Sequence, residues 1–460
     1  MAPIQWGWRH NHKLMTDPIA HSEADQSTLS RHLTVIWLVG MLVLLPLDMI
    51  KLPLNMTLVD IWILMALPIF WLSFVRGKQI ISLSYLIPMW LILVASFAST
   101  FAAPAPKNGL VVILKEIYAF IWFVTLTAVL VTLKARDFRN ILVVWTGIVF
   151  VHGLVIVGQF LSPDFWQLTA SLADKSSEFE KYRPSGMFIN ANSAAFFQLL
   201  GFVPLMLVSS SKKAAMILGL LLLLTMLLTG SMGATVAFVA GMTVVVAVIL
   251  LSGHVALVIK SFGRLAIIVA LLGGLLYFII SHNQRYQEHF EHIFLGRAER
   301  SSEGRFDLWQ QGMDAYLEHD VFLWGVGPEN FRVVGQKGKQ LHNDFLAFSV
   351  ERGLIGTLGL VLFAVIAVGR AAYIVLLTYK YPGRSRLGVV VFLGAIIAAI
   401  VESLTHQTFH FRELWVVLAF QEAMLYKIKT SESEVEPIPD TLNEPAGHRH
   451  RFVVQPDVSG

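Results

Sequence analysis

The uncharged run MGATVAFVAGMTVVVAVILLS, residues 232–252, decides the fold class of this protein. A helix of this length, rising about 1.5 Å per residue, crosses the roughly 30 Å hydrocarbon core of a bilayer. Similar apolar runs recur along the chain, which is 55% hydrophobic and only 14% charged. Backbone polar groups inside lipid must find their hydrogen-bond partners within the protein. The sequence therefore predicts an all-α polytopic membrane protein.

The apolar runs predict about twelve transmembrane helices. Twelve lysines and arginines fall in the loops on one side of these spans, and three fall in the short loops on the other side. Because positively charged short loops remain in the cytoplasm, both termini are predicted to be cytoplasmic. The predicted spans are 33–50, 57–75, 81–102, 109–133, 139–161, 186–208, 213–230, 232–252, 263–281, 351–378, 386–404 and 413–427.

This topology predicts five segments along the chain. Both end segments are cytoplasmic, and the C-terminal one is rich in Glu, Pro, Ser and Asp, a composition typical of disorder. The segments are a cytoplasmic N-terminal segment (1–32), transmembrane helices 1–9 (33–281), a large periplasmic loop (282–350), transmembrane helices 10–12 (351–428) and a disordered tail (429–460).

The large periplasmic loop contains an apolar pattern at helical spacing, formed by Phe306, Trp309, Met313 and Tyr316. The pattern predicts an amphipathic helix of about 14 residues that starts near Gly304. A helix of this kind could lie at the membrane surface as a lid. The segment WGVGPENF that follows contains two glycines, which predict a sharp turn.

Composition excludes several functional classes. The chain has no cysteine, so disulfides, zinc–thiolate sites and cysteine nucleophiles are absent. The polar N-terminus lacks the apolar core and small-residue cleavage site of a signal peptide, and the first span is predicted to be an uncleaved anchor. The net charge of +4 needs no nucleic-acid partner, because membrane orientation accounts for the basic loops.

Positive charge is also concentrated on the predicted external side, against the usual bias. One interpretation is an anionic ligand such as a lipid pyrophosphate, because guanidinium groups match phosphate oxygens. The alternative is that long loops are exempt from the bias and these side chains are merely solvated. The external cations are Arg183, Arg285, Arg297, Arg300, Arg305, Arg332, Lys337 and Lys339, with His342 beside them.

His342, followed by Asn343, stands where the loop re-enters the membrane. An imidazole titrates near neutral pH, so it can take a proton from a hydroxyl nucleophile. A structural hydrogen-bonding role is the alternative. His406 and His410, in the second external segment ESLTHQTFHFRELW, are candidate partners. No metal site is predicted, because no metal-binding spacing such as HExxH is present.

Polar residues also begin the sixth predicted span, in RPSGMFINANSAAFF (183–197). Arg183, Asn190 and Asn192 there indicate either a substrate pathway or interhelix hydrogen bonds. In the fourth span, Lys115 and Glu116 are predicted to pair with each other or to face the bundle interior.

Several of these segments resemble the O-antigen ligase and polymerase superfamily over about residues 140–425. RPSGMFINANS resembles the R-x-x-G-x-x-x-N-x-N motif of this superfamily. In the large loop, GRFDLW resembles its R-x-x-x-W motif and GVGPENF its G-x-G-x-x-x-F motif. After the loop, HNDFL resembles its H-N-x-x-L motif and ERGLIG its E-x-G-x-x-G motif. One departure is Met232, where the family often has a pyrophosphate-binding arginine.

The resemblance implies a GT-C-like membrane glycosyltransferase of the bacterial inner membrane that uses no cofactor. It implies an undecaprenyl-pyrophosphate-linked glycan as donor, and lipid A-core or a growing glycan as acceptor. His342 is then the base or a residue that positions the acceptor, and Arg305 holds the leaving pyrophosphate. The resemblance and the loop positions together give a set of candidate substrate-binding residues: Arg183, Asn190, Asn192, Arg300, Asn343, Glu351, His406 and His410.

Three functions remain open from the sequence. A ligase transfers a finished glycan, whereas a polymerase joins repeat units, and a single dominant external loop favours the ligase. A transporter is the alternative from another class, since a dozen or so spans with both ends inside is a common carrier plan. Carriers often consist of two related halves, and no such internal similarity is visible here.

Overall fold

The computed structural model of the chain describes residues 18–48, 50, 56–65, 84–171, 183–209, 211–253, 270, 274, 281, 282, 296–318, 322–335, 338–380 and 386–433. Nearly all of the ninth predicted span lies outside these residues, and so does the tail from residue 434. Among the predicted external cations, Arg285 and Lys337 also lie outside them.

The regular elements of the described residues are all helices, as predicted for an all-α protein. Apart from the ninth, every predicted span contains at least part of a helix among its described residues. In chain order the helices are α1 (Pro18–Leu44), α2 (58–65), α3 (Leu86–Phe101), α4 (Pro106–Thr132), α5 (Ala135–Leu161), α6 (Pro163–Ser171), α7 (Ala191–Leu200), α8 (Phe202–Val208), α9 (Lys212–Leu228), α10 (Met232–Leu251), α11 (Gly296–Glu318), α12 (Phe331–Val334), α13 (Asp344–Lys380), α14 (Arg386–Ser403) and α15 (Arg412–Ser433).

Several helices have the length and composition of membrane spans. Shorter apolar helices lie at Arg31–Leu44, Leu86–Phe101 and Leu387–Ser403. This architecture is that of a polytopic membrane protein, while the number of about twelve spans stays a prediction. Within the described residues, five helical segments are long and apolar enough to cross a bilayer: Pro106–Thr132, Ala135–Leu161, Ala191–Val208 (α7 and α8 together), Met232–Leu251 and Asp344–Tyr379.

The bundle is held together by close helix pairs. α10 packs along α14, α13 packs on α3 and α14, and α15 packs on α4. At the α10–α14 crossing, a Cβ atom on Gly241 would lie 2.5 Å from the carbonyl oxygen of Gly394. Small residues at such a crossing let two helix backbones approach closely. In lipid there is little hydrophobic force between helices, so the van der Waals contacts of such close packing stabilise their association.

The long helix α13 consists of two helical stretches separated by a break. The first begins at Asp344, directly after His342 and Asn343, and the second follows the break, close to the predicted start of the tenth span at residue 351. The break is at Gly353, with φ 64° and ψ −164°. There the N–H of Leu354 donates to the carbonyl of Phe322 at 2.8 Å. The predicted turn after α11 therefore docks directly on the backbone of a membrane helix.

Helix α11 confirms the helix predicted in the large loop, but it is longer, and only Trp309 and Tyr316 of the predicted apolar pattern are partly buried. Leu308 is buried, and the indole N–H of Trp309 donates to the carbonyl of Leu341 at 2.9 Å. Phe306 and Leu317 are each 71% exposed. The apolar spacing alone does not identify the buried face, because this helix carries apolar residues on more than one side.

Candidate active site

Two loops and the start of α13 meet at the candidate active site. The first loop, 338–343, precedes α13, and the second, 404–411, joins α14 to α15. Asp344 is buried, and its Oδ2 accepts hydrogen bonds from the N–H groups of Thr408 at 2.8 Å and Phe409 at 3.0 Å. This carboxylate therefore fixes the second loop against the start of α13.

His342 and His406 face each other across these loops. Their ring centroids are 5.9 Å apart. His342 has a φ of 51°, a conformation that residues other than glycine seldom adopt and that often occurs at functional sites. The neighbouring Asn343 accepts a hydrogen bond from the N–H of Leu346 at 3.1 Å and so caps the first turn of α13.

The surroundings of His342 favour its neutral form. Burial lowers the pKa of His342 below its usual value, and the positive charges of Arg305, Arg332 and Lys339 lower this pKa further. A neutral imidazole has a lone pair that can accept a proton, whereas an imidazolium has none. His342 is therefore available as a base at neutral pH.

Arg305 and Glu402 complete the group. Burial lowers the pKa of Arg305, and the negative charge of Glu402 opposes that shift. Glu402 is fully buried at the end of α14, and its carboxylate lies against Gly233 in the first turn of α10. We call Arg305, His342, His406 and Glu402 the polar cluster.

Glu402 is absent from the sequence-based candidates. It lies in the same segment as His406 and is the acidic residue at the end of an otherwise apolar span. Ionisable residues in such positions are costly and usually functional, which is the signal that could have selected it. Only the fold shows that it faces α10 and Arg305.

Arg183, Asn190 and Asn192 bind one another and the turn before α10. The guanidinium of Arg183 donates to the carbonyl of Thr229 at 3.1 Å and to the side-chain oxygen of Asn192 at 3.0 Å. Asn190 caps α7 by accepting a hydrogen bond from the N–H of Asn192 at 2.8 Å. These contacts tie the start of α7 to the turn that leads into α10.

A second, buried charge cluster contains Glu351 and His410. Arg352 lies 2.5 Å from Glu116 and 3.7 Å from Glu351, measured between guanidinium nitrogens and carboxylate oxygens. The Nε2 of His410 lies 3.3 Å from the same oxygen of Glu116. His406 and His410 therefore divide between two clusters, although the sequence pairs both with His342.

The other predicted residues are Lys115 and Glu116 in the fourth span and Arg300 in the large loop. Glu116 faces the bundle interior, but its partner is Arg352, and Lys115 is exposed. Arg300 lies on α11 in a stretch whose side chains the structure does not describe. Within the described ranges, no three side chains of His, Asp or Glu gather as metal ligands.

The protein is thus of the class of helical membrane proteins with a polar, partly buried site at one end of the bundle. Residues 217–361 match the O-antigen ligase family. The match includes Arg305 and His342 and covers about a third of the chain. It confirms the resemblance to the O-antigen ligase and polymerase superfamily, and the chain carries a region of that family. No curated protein matches the sequence.

Proposed function

We propose that this protein is a metal-independent glycosyltransferase that moves a glycan from undecaprenyl pyrophosphate to an acceptor hydroxyl on the external face of the bacterial inner membrane. The family match supports the class. The single observation that carries the proposal is the position of His342, largely buried just before the start of α13, where burial and the charge of Arg305 lower its pKa.

The reaction needs a base and a stabiliser of negative charge, and these two residues supply them. His342 takes the proton from the acceptor hydroxyl as that oxygen attacks the anomeric carbon of the glycan. The bond from this carbon to the pyrophosphate oxygen breaks, and its electron pair leaves with undecaprenyl pyrophosphate. Arg305 stabilises the charge that develops there, which is the role a cation fills in phosphate chemistry.

The ligase is our first choice within the superfamily, with lipid A-core as acceptor. Product size distinguishes it from a polymerase, which joins repeat units of O-antigen, capsule or exopolysaccharide. A ligase adds one block of glycan to each acceptor, and a polymerase yields a ladder. The distribution of lysine and arginine supports cytoplasmic termini, and the site then faces the periplasm.

The test uses purified protein in detergent with an undecaprenyl-pyrophosphate-linked glycan, candidate acceptors and a chelator. Wild type is compared with His342→Ala and Arg305→Ala, and with Arg139→Ala as a control on an exposed arginine at the start of α5. We expect His342→Ala to lower the transfer rate by roughly 100- to 10,000-fold. Arg305→Ala should lower it by roughly 100- to 1,000-fold.

Folding of each variant is checked by its thermal unfolding midpoint. If both site variants transfer glycan at the wild-type rate, the assignment of the site is wrong. If transfer requires the metal that the chelator removes, metal independence is wrong. A transporter would instead transfer no glycan and would move the lipid-linked glycan across reconstituted vesicles.

A further inference from the structure

The proposed reaction assigns no role to Glu402, although the environment of its carboxyl group is unusual. Its side chain is completely inaccessible to solvent, and neither carboxylate oxygen has a hydrogen-bond partner among the described residues. The hydroxyl of Thr405 donates at 3.1 Å to the main-chain carbonyl of Glu402. A buried ionised carboxylate without a partner is strongly unfavourable, so the neutral acid is the stable form.

The carboxyl of Glu402 is directed at the N-terminus of a membrane helix. A Cβ atom built on Gly233 would lie 2.8 Å and 3.1 Å from its two oxygens. Gly233 is in the first turn of α10, and the free N–H groups of such a turn carry partial positive charge that attracts anions. Only a glycine leaves room for the carboxyl at this distance.

Besides the N-terminus of α10, Arg305 provides a positive charge near Glu402. It is the cation whose charge acts on Glu402, yet the two do not form a direct hydrogen bond. A guanidinium, a helix N-terminus and a buried acid therefore lie in one region of the fold. An anion with several acceptor oxygens would satisfy all three, whereas water or a neutral group would satisfy fewer of them.

We propose that Glu402, as the neutral acid, donates a hydrogen bond to a phosphate oxygen of the lipid-linked donor, beside Arg305 and at the N-terminus of α10. This inference rests on the proposed function, which supplies a pyrophosphate in this region. Glu402 then binds the donor and also the leaving undecaprenyl pyrophosphate, because both present phosphate oxygens at the same position. It breaks no bond and transfers no proton.

Glutamine is the informative substitution, because its amide keeps a hydrogen-bond donor in nearly the same shape. We expect Glu402→Gln to bind undecaprenyl pyrophosphate within about twofold of wild type. Glu402→Ala should weaken binding about tenfold, the effect of one hydrogen bond to a charged acceptor. Binding is measured by calorimetric titration in detergent, and KM for the donor should follow the same order.

A pH comparison gives a readout that a structural role would not move. Two groups near Glu402 can carry charge: Arg305 on α11, whose charge acts on it, and His406, whose main-chain N–H donates to the main-chain carbonyl of Glu402 at 2.9 Å. The first turn of α10 contains no titratable group. Between about pH 7 and about pH 9 the arginine stays charged, and any effect of the histidines is common to wild type and Glu402→Gln. Ionisation of Glu402 should therefore weaken donor binding in wild type and leave Glu402→Gln unchanged.

The outcomes separate this inference from the proposed function. If wild type neither binds undecaprenyl pyrophosphate nor transfers glycan, the proposed function fails. If wild type does both and Glu402→Ala binds equally well, only this inference is overturned. Equal weakening in Glu402→Gln and Glu402→Ala would also overturn it, because the amide retains the donor. Should Glu402→Ala not fold, the pH comparison of wild type with Glu402→Gln decides.

Discussion

A guanidinium nitrogen of Arg352 lies 2.5 Å from a carboxylate oxygen of Glu116, and both side chains are almost completely buried. The pair joins α13, at the residue before its break, to the middle of α4. The guanidinium also donates to the hydroxyl of Ser96 at 3.0 Å and lies 4.0 Å above the ring of Phe348. One ion pair thus positions three helices next to the loops of the polar cluster.

Removing one partner of this ion pair should destabilise the protein. Arg352→Met leaves the carboxylate of Glu116 buried without its cation, and we expect a loss of about 3–5 kcal/mol in the free energy of unfolding. The double variant Arg352→Met/Glu116→Leu should recover part of that loss, because the carboxylate of Glu116 is gone, while Glu351, 3.7 Å from Arg352 in the wild type, still loses its cation. The measurement is denaturant unfolding in detergent. A double variant no more stable than the single one would contradict this account.

The break in α13 should tolerate glycine alone. Gly353→Ala places a methyl group against the main chain of Leu323 in a backbone conformation that is nearly restricted to glycine. We expect it to lose roughly 2 kcal/mol or more of stability. Gly369→Ala, on the same helix with no atom near its Cβ position, is the matched control and should fold normally. The yield of monodisperse protein from size-exclusion chromatography distinguishes the two.

Asp344 should affect transfer through the position of the second loop. Asp344→Ala leaves the buried N–H groups of Thr408 and Phe409 without acceptors, which costs about 1–3 kcal/mol for each group. We expect lower stability and a reduced transfer rate, because His406 is on the released loop. Asp344→Asn keeps one acceptor oxygen and should have an intermediate effect on both. Normal transfer by Asp344→Ala would show that the loop does not position the site.

The transfer rate should depend on pH through His342. Because burial and nearby cations lower its pKa, His342 loses its proton below the usual histidine value, and the rate should stay high down to that lower pH. Lys339→Ala removes one of those cations, so the pKa should rise and the acidic limb of the rate profile should move to higher pH. Lys212→Ala, at the start of α9, serves as the control and should leave the profile unchanged.

The exposed apolar face of α11 should lie at the membrane surface. Phe306 and Leu317 project from the side opposite Leu308, and the chain has no native cysteine, so single-cysteine labelling is unambiguous. We expect fluorophores at Phe306→Cys and Leu317→Cys to be quenched by spin-labelled lipids in vesicles. A fluorophore at Asp314→Cys, on a polar part of the same helix, should remain unquenched. Equal quenching at all three positions would argue against an interfacial helix.

The sequence by itself determines the class of this protein and much of its chemistry. Long uncharged runs leave helices as the element that can satisfy backbone groups in lipid, and the helices lie where those runs predict them. His342, Arg305 and the family resemblance are also visible in the linear order, because they belong to short motifs. Local patterns suffice for features that depend on neighbouring residues.

Only the tertiary structure decides which polar residues meet. Glu402 faces Gly233 across the α10–α14 pair, and Glu116 pairs with Arg352 and not with its neighbour Lys115. His406 and His410, four positions apart, enter different clusters because the loop that holds them is irregular. Such pairings join residues that are distant in the chain, and helix packing selects them, so no local spacing encodes them. The physical reason is that a buried charged group pairs with the oppositely charged group that helix packing places next to it, and that group can be far away in the sequence.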